Sequence, residues 1–219
     1  MKQLTLPFAE DLTYAAEDFC PAPSNAAARE LLARPDAWSN LRLILWGQPG
    51  CGKTHLLHIW AQSNQAEIIN SANLHGLHGV TRPVALDDAD LAPDPAAVLH
   101  LLNNAAEAGQ PVLLAARLPP VRMAYRLADL TSRLRAASAV EIRPPEDELL
   151  EQLLTRLAAA RQLSLSIPVR NALLLHLPRA PAFYREAVAR LDHAGMDRSV
   201  KITRHLALEI IAGLLQDEC

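Results

Sequence analysis

Apolar residues follow two alternating patterns over the first two thirds of the chain. Short continuous apolar runs, of the length expected for buried strands, predict strands at residues 41–46, 66–69, 84–86, 111–115 and 139–142. Between them, apolar residues recur at helical spacing and predict helices at residues 53–62 and 95–108. Strands that alternate with helices of this length indicate an α/β fold with a parallel sheet covered on both faces.

The pattern changes at Pro144-Pro145. Beyond this pair only helical periodicity remains, and it predicts helices at residues 146–161, 168–177, 181–193 and 203–215. Three regions are therefore expected: an extended arm at 1–23, an α/β core at 24–145 and an all-helical lid at 146–219. Ser24-Asn25 offers N-cap chemistry for a first core helix that should stop at Pro35.

A glycine-rich turn follows the first predicted strand and matches G-x-x-x-x-G-K-[ST] in full. Such a loop between a strand and a helix cradles phosphates, because glycines let backbone N–H groups approach the phosphate oxygens. We expect the lysine to reach the β- and γ-phosphates and the threonine hydroxyl to ligate Mg²⁺. The predicted nucleotide-binding residues of this turn are Gly47, Gln48, Pro49, Gly50, Cys51, Gly52, Lys53 and Thr54.

Two carboxylates, Asp87 and Asp88, follow the third predicted strand. In a protein with a phosphate-binding loop, an acidic residue at the end of a neighbouring strand provides the anionic partner of a hydrated Mg²⁺. We assign Asp87 to the metal, held through water, and Asp88 to the orientation or activation of an attacking water. Without the loop, a pair of aspartates after a strand is more often an ordinary turn.

Composition argues against several classes of protein. The formal net charge of -3 is the wrong sign for a protein that grips duplex DNA through its phosphates. A local basic patch, or simply a solvated helix face, stays open for the run of Arg117, Arg122, Arg126, Arg133 and Arg135. The three cysteines show no CxxC spacing, which argues against a disulfide framework or a zinc site. No apolar run reaches membrane-spanning length, so we expect no membrane contact and a cytoplasmic protein.

Several segments together resemble the bacterial replication initiator DnaA and its shorter Hda-like relatives, in the AAA+ superfamily of P-loop ATPases. The segment 52–58, which contains His55, resembles their nucleotide site, and residues 18–25, with Phe19 and Asn25, resemble the segment that lies along the adenine. Residues 102–114 resemble the helix and strand that lead to sensor 1. Residues 129–134 resemble the box that carries the arginine finger.

The resemblance implies a fold, a cofactor and a reactive residue. The fold would be a five-stranded parallel sheet of order 5-1-4-3-2 with a small C-terminal helical lid. The cofactor would be ADP or ATP with Mg²⁺. Arg133 would be the arginine finger, a permanent cation that stabilises charge on a transferring phosphoryl group.

The resemblance also suggests partners. The chain ends just after the lid, where the initiator continues into a DNA-binding domain, so DNA contact is expected only through a partner. Residues 3–8 resemble the peptide by which Hda-like proteins bind the DNA polymerase sliding clamp (its beta subunit). This peptide includes Gln3, Leu4, Leu6, Pro7 and Phe8. Without the resemblance, an N-terminal strand at the sheet edge is the simpler interpretation.

Two positions depart from the family pattern. After the fourth predicted strand, where relatives place small polar and acidic residues, the chain has Ala115-Ala116-Arg117, so hydrolysis at its own site is in doubt. The sensor 2 arginine is expected at Ala182, and Arg179, one turn earlier, is the candidate substitute. Both departures suit a protein that holds ADP and acts on ATP bound to another molecule.

The leading hypothesis is therefore an adaptor that couples the loaded clamp to hydrolysis of ATP on the initiator DnaA and so represses initiation. Asp87-Asp88 leaves open a free-standing ATPase, such as a helicase loader. A pure tethering module is a third alternative, and a homo-oligomer is left open.

Overall fold

The computed structural model describes residues 14–123, 125–198 and 201–216. Its centre is a five-stranded, all-parallel sheet in the order β2-β3-β4-β1-β5. This is the order 5-1-4-3-2 that the family resemblance implied, and the prediction is confirmed. The strands are β1 (Arg42–Trp46), β2 (Glu67–Asn70), β3 (Val84–Asp87), β4 (Val112–Ala116) and β5 (Ser138–Glu141).

The described part of the chain contains eight α-helices. Four lie in the core: α1 (Pro23–Leu32), α2 (Lys53–Asn64), α3 (Pro95–Glu107) and α4 (Ala128–Arg135). Four follow β5: α5 (Asp147–Ala160), α6 (Ile167–His176), α7 (Pro181–Arg198) and α8 (Arg204–Gln216). Strand and helix boundaries mostly agree with the periodicity to within one or two residues, but α7 runs five residues further than predicted and α4 was not predicted.

The two faces of the sheet carry separate hydrophobic clusters because side chains alternate along each strand. Ile44 and Leu114 point to the face covered by α3 and α4. Leu43, Leu45 and Leu113 point to the opposite face, which α1 and α2 cover. All five side chains are fully buried. The central strands are thus apolar on both faces, which explains why they read as continuous apolar runs.

The start of α1 differs from the prediction. Ser24-Asn25 is not the N-cap, because the helix begins at Pro23 with Ala22 as its N-cap. Proline fits the first helical position, where its fixed φ is helical and its missing N–H is not needed. The Asn25 side chain instead accepts a hydrogen bond from the Ala22 amide (3.1 Å), and so stabilises the helix start from its third residue.

The helices after Pro145 enclose a hydrophobic cluster of their own. It includes Leu154 of α5, Leu173 of α6, Tyr184 of α7 and Ile211 of α8. No strand follows β5 in the described residues. None of the helices in the described ranges is long and apolar enough to cross a membrane.

Truncation of a buried side chain in a central strand should destabilise the fold far more than truncation of an exposed side chain in a loop. Leu114→Ala removes a fully buried side chain, and we expect a loss of about 2–5 kcal/mol in the free energy of unfolding. Leu77→Ala, at a side chain that is 80% exposed, is the matched control and should change it little. Urea unfolding followed by circular dichroism measures both, and equal midpoints would contradict the packing described.

Candidate functional site

The phosphate-binding loop follows β1 and contacts the ends of the two strands that flank it, β4 and β5. The Gly47 amide donates to the carbonyl of Ala116 at the end of β4 (3.3 Å). A Cβ on Gly47 would lie 2.4 Å from the carbonyl oxygen of Ile142, which follows β5. Gly50 and Gly52 have φ of +75° and +102°, which L side chains rarely adopt. Gly47 is therefore required because a side chain would clash with Ile142, and Gly50 and Gly52 are required by the backbone angles of the turn.

The ammonium group of Lys53 is held inside this loop at the first residue of α2. Its Nζ donates to the carbonyl oxygens of Gly47 and Gln48, each at 2.8 Å, and the residue is only 7% exposed. A buried cation needs acceptors, and a phosphate is a stronger acceptor than a neutral carbonyl. The lysine and the positive end of α2 therefore suit this loop to an anion.

The surroundings of Cys51 disfavour a reactive thiolate. Burial raises the pKa of its thiol, and the nearby charge of Lys53, 3.8 Å from Sγ, only partly opposes this effect. A neutral thiol is a poor nucleophile. Cys51 therefore serves the loop through its backbone, whose amide donates to the carbonyl of Gln48 (3.3 Å).

The acidic pair lies at the carboxyl edge of the sheet, beside the loop. Asp87 is the last residue of β3, and its Oδ1 accepts a hydrogen bond from the amide of Asp88 (3.0 Å). Burial, and then the charge of Asp87, raise the pKa of Asp88, while the charges of Arg117 and Lys53 oppose the shift. Asp88 and Lys53 thus lie close enough to influence each other. A raised pKa is the property expected of a carboxylate that exchanges protons with water.

The segment before α1 lies against the end of the loop. The Phe19 ring would be 3.5 Å from a Cβ on Gly52, and it meets the His55 ring edge-on at 5.2 Å between centroids. Phe19 and His55, both predicted from the family resemblance, are therefore neighbours. Asn25 is 3% exposed and donates to the carbonyl of Cys20 (3.0 Å), so it shapes the turn of this segment.

One aromatic stack and one hydrogen bond in the same place were not predicted from the sequence. Tyr14 stacks on His58 of α2 with ring centroids 4.1 Å apart. His55 Nε2 lies 2.9 Å from the carbonyl oxygen of Ala15, so this nitrogen carries the proton of the neutral ring. The only available signal was the spacing of His55 and His58, three residues apart on one face of a helix.

The lid reaches the loop through the start of α7. A Cβ on Gly50 would lie 3.0 Å from the Cβ of Ala180 and 3.7 Å from that of Ala182. Ala182, the expected sensor 2 position, is thus beside the loop but carries no charge. Arg179 donates to Asp147 Oδ1 (2.6 Å) and to the Pro145 carbonyl (3.3 Å). Its role in nucleotide binding stays a prediction.

The sensor 1 position is apolar in the structure as well. Ala115 and Ala116 are fully buried at the end of β4. The next amide, that of Arg117, donates to Asp90 Oδ2 (3.1 Å). The methyl groups of the two alanines offer no hydrogen bond to a water or a phosphate.

Arg133 lies away from the phosphate-binding loop and the residues around it. It is in the second turn of α4, which precedes β5, so it sits toward the amino edge of the sheet. Its Nε is 3.4 Å from Asp129 Oδ1, and its side chain is 36% exposed. At about 3.3 Å per strand residue, the five residues of β1 put roughly 15 Å between this edge and the loop.

The remaining predicted residues are placed as follows. Thr54 is half-buried in the first turn of α2, next to Lys53, and Pro49 is exposed at the tip of the loop. The peptide with Gln3, Leu4, Leu6, Pro7 and Phe8 lies outside the described residues. Among the residues that the structure describes, no three His, Cys, Asp or Glu side chains form a metal cluster, so a magnesium ion would rely on Thr54, Asp87 and phosphate oxygens.

Acid should weaken the attachment of residues 14–19 to α2. Burial lowers the pKa of His55, an effect that Arg185 and His58 reinforce and the bond to Ala15 and the charge of Asp18 oppose. The neutral form is favoured in the folded state, so its contribution is present above the unfolded pKa of about 6.5 and is lost as the pH falls below it. His55→Gln keeps an N–H donor without a titrating ring and should flatten this decline.

Chemical denaturation of the parent and of His55→Gln between about pH 7.5 and pH 5.5, roughly one unit either side of the histidine value, tests this expectation. The matched control is His100→Gln, on exposed α3 surface. Parallel pH profiles for parent and His55→Gln would refute a role for His55.

Comparison of the sequence with protein-family models finds no match, and neither does comparison with curated proteins. Solved structures do match in fold. Domain III of the replication initiation protein DnaA from Thermotoga maritima has a TM-score of 0.76 and 18% identity, over 91% of this chain and 96% of that one. AMPPCP-bound DnaA from Aquifex aeolicus has a TM-score of 0.69 and 16% identity, over 85% and 67%.

The Holliday junction branch migration motor RuvB from Thermotoga maritima is also similar. Its TM-score is 0.63 and its identity 18%, over 88% of this chain and 70% of that one. The structural similarity shows a shared fold, and identities this low carry the likeness no further than the fold. The chain therefore has the α/β P-loop fold of AAA+ domains, as the resemblance implied.

Proposed function

We propose that this protein is an adenine-nucleotide-bound adaptor that acts on ATP held by the replication initiator DnaA. It presents Arg133 to that ATP and promotes its hydrolysis, and residues 3–8 tether it to the DNA polymerase sliding clamp. The result is negative regulation of replication initiation. The observation that carries the proposal is the position of Arg133, on the sheet edge opposite its own phosphate-binding loop.

Support for nucleotide binding comes from the shape and charge of the loop. Gly47, Gly50 and Gly52 let the loop adopt its tight backbone path, and Lys53 points its ammonium group into the loop. Phe19 offers an apolar ring at the end of the loop, where a base can pack. One structure of similar fold is DnaA with AMPPCP, an adenine nucleotide. ADP or ATP is accordingly the proposed cofactor.

A bound Mg²⁺ would neutralise charge on the phosphates. The Thr54 hydroxyl, in the first turn of α2, and the Asp87 carboxylate, at the end of β3, are the residues that would hold it. Both are oxygen donors, which magnesium prefers. Asp88 lies next to Asp87 and would receive a proton from water.

Action in trans follows from the distance between the two edges of the sheet. Arg133 lies at the edge of the sheet opposite its own loop, across a strand roughly 15 Å long, so its partly exposed guanidinium would reach the nucleotide of a neighbouring molecule rather than its own. In the neighbour, water bonds to the γ-phosphorus, the bond to the bridging oxygen breaks, and ADP and phosphate leave with a proton. Arg133 would stabilise the charge that spreads over the phosphoryl oxygens.

Weak hydrolysis by the protein's own site is part of the proposal. Ala115 and Ala116 have no group that orients water, and Ala182 places a methyl where an arginine is expected. Arg179 is engaged with Asp147. The bound nucleotide would then serve as a lasting structural ligand.

A free-standing ATPase is the second candidate function. The pair Asp87-Asp88 favours it, because both carboxylates are beside the loop and Asp88 has a raised pKa. The motor RuvB shares the fold. Rapid turnover of ATP by the protein alone would select this alternative.

Loss of the Lys53 ammonium should weaken nucleotide binding. Lys53→Ala is expected to reduce ADP affinity by about tenfold or more, because a charge-assisted hydrogen bond to phosphate is lost. Lys201→Ala removes an exposed lysine and is the matched control. Isothermal calorimetry measures both variants, and equal affinity in Lys53→Ala and the parent would remove the basis of the proposal.

Loss of the Arg133 guanidinium should abolish the effect on the initiator. With clamp-loaded DNA and ATP-bound DnaA, we expect stimulated hydrolysis by the parent and a return to about the unstimulated rate for Arg133→Ala, since fingers in trans contribute ~10³-fold or more. Deletion of residues 3–8 should reduce stimulation in the same assay. Arg135→Ala, an exposed arginine on the same helix, is the control.

Release of labelled phosphate from DnaA-bound ATP is the measurement. Stimulation that survives Arg133→Ala while clamp binding persists would indicate a tethering module. Stimulation that does not depend on residues 3–8 would remove the clamp from the proposal.

A further inference from the structure

A cavity of about 490 Å³ opens beside Arg133, at the amino edge of the sheet. Arg42, the first residue of β1, lines it together with Asn40 and Ala106. Ser132 and Arg133 of α4 line it as well. Two guanidinium groups therefore share one cavity, although they lie far apart in the sequence.

Arg42 is a fixed, buried cation. Its residue is only 5% exposed, and its Nη2 donates to the carbonyl of Leu102 in α3 (2.9 Å). Burial, and then the charge of Arg133, lower the pKa of Arg42, although an arginine stays charged at neutral pH. The charges of Arg42 and Arg133 are therefore close enough to repel each other.

Arg133 is the more exposed partner of the pair. Its Nε is buried and makes no hydrogen bond within the described residues, although Asp129 Oδ1 lies 3.4 Å away. The Asp129 side chain is 59% exposed, so this ion pair is weak and easily exchanged for another anion.

Little else neutralises the two arginines. None of the described residues that line the cavity is acidic. The carbonyl of Ala136, at the end of α4, already accepts a hydrogen bond from the Asn40 side chain (3.3 Å). Two like charges on one cavity raise its electrostatic potential, and an anion with several oxygens relieves that repulsion.

We propose that this cavity is an anion site in which Arg42 and Arg133 together bind the terminal phosphate of a nucleoside triphosphate held by a neighbouring molecule. The source of the phosphate rests on the proposed function; the anion site itself does not. Arg42 supplies a preorganised guanidinium, and Arg133 leaves Asp129 to supply a second. Bidentate guanidinium groups match the geometry of phosphate oxygens.

The chain's own nucleotide is an unsuitable source. Arg42 begins the strand whose other end leads into the phosphate-binding loop, roughly 15 Å away. A phosphate in the cavity must therefore come from outside the chain. Arg42 is then a binding residue for the same phosphoryl group that Arg133 would stabilise.

The site can be tested on the full chain with inorganic phosphate as the probe. The protein is saturated with ADP, and the ¹⁵Nε–¹Hε NMR signals of Arg42 and Arg133 are followed as phosphate is added. We expect both signals to shift along one saturation curve. Arg42→Met should weaken the binding seen at Arg133 by about tenfold or more, because a charge-assisted contact is lost. Arg42→Lys should be intermediate.

Arg135→Met, an exposed arginine of the same helix that does not line the cavity, is the matched control and should bind phosphate like the parent. Thermal unfolding verifies that each variant folds, and Arg42→Lys decides the question if Arg42→Met does not fold. The proposal is overturned if phosphate binds at Arg133 equally tightly in the parent and in the folded Arg42 variants, or if no saturable shift is seen.

The same variants in the initiator assay separate this inference from the proposed function. If phosphate binding depends on Arg42 but the parent does not stimulate hydrolysis on DnaA, the anion site stands and the proposed function fails. If stimulation depends on Arg133 while Arg42→Met changes neither stimulation nor phosphate binding, the proposed function stands and the role of Arg42 fails.

Discussion

The buried ammonium group of Lys53 is the constraint on which the rest of the site depends. At 7% exposure it must be surrounded by acceptors, and the loop provides the carbonyls of Gly47 and Gln48. These carbonyls can turn toward the lysine because the loop residues are free to adopt unusual backbone angles. The lysine held there and the N-terminus of α2 both place positive charge at the loop, which suits it to an anion.

The surroundings of the loop connect that anion site to both ends of the chain. Phe19 lies at Gly52, and Ala180 lies at Gly50, so the arm and the lid each contact the loop. Arg156 of α5 donates to the carbonyl of Glu17, which ties the lid to the arm directly. A ligand in the loop therefore lies at the meeting point of three parts of the protein. Under the proposed function, nucleotide binding would fix the arm from which the clamp peptide extends.

Much of the fold could be predicted from the sequence, since buried parallel strands read as apolar runs and the loop motif has a fixed context. The strand order could not be read from periodicity and came from the family resemblance. Helix α4 was missed because it is short and only Leu130 and Leu134 are buried in it. The start of α1 was misplaced because Asn25 suits both an N-cap and the third helical position.

The site was predicted less completely than the fold, for a physical reason. Motif residues such as Lys53 and Asp87 act where local backbone geometry puts them, so their positions follow from the sequence. The stack of Tyr14 on His58 and the pairing of Arg42 with Arg133 depend on elements that meet only in the folded chain. Periodicity describes which face of an element is buried but not which residue lies opposite.

The parallel sheet also explains why such a protein would need a neighbour. All strands point the same way, so loops that follow strands gather at one edge and residues that precede strands gather at the other. Lys53, Asp87 and Asp88 belong to the first edge, and Arg42 and Arg133 to the second. Under the proposed function, the first edge would bind a nucleotide, and alanines at the sensor positions would leave it without the groups that complete hydrolysis. The second edge has cations without a nucleotide of its own, and only contact between two molecules brings the two kinds of edge together.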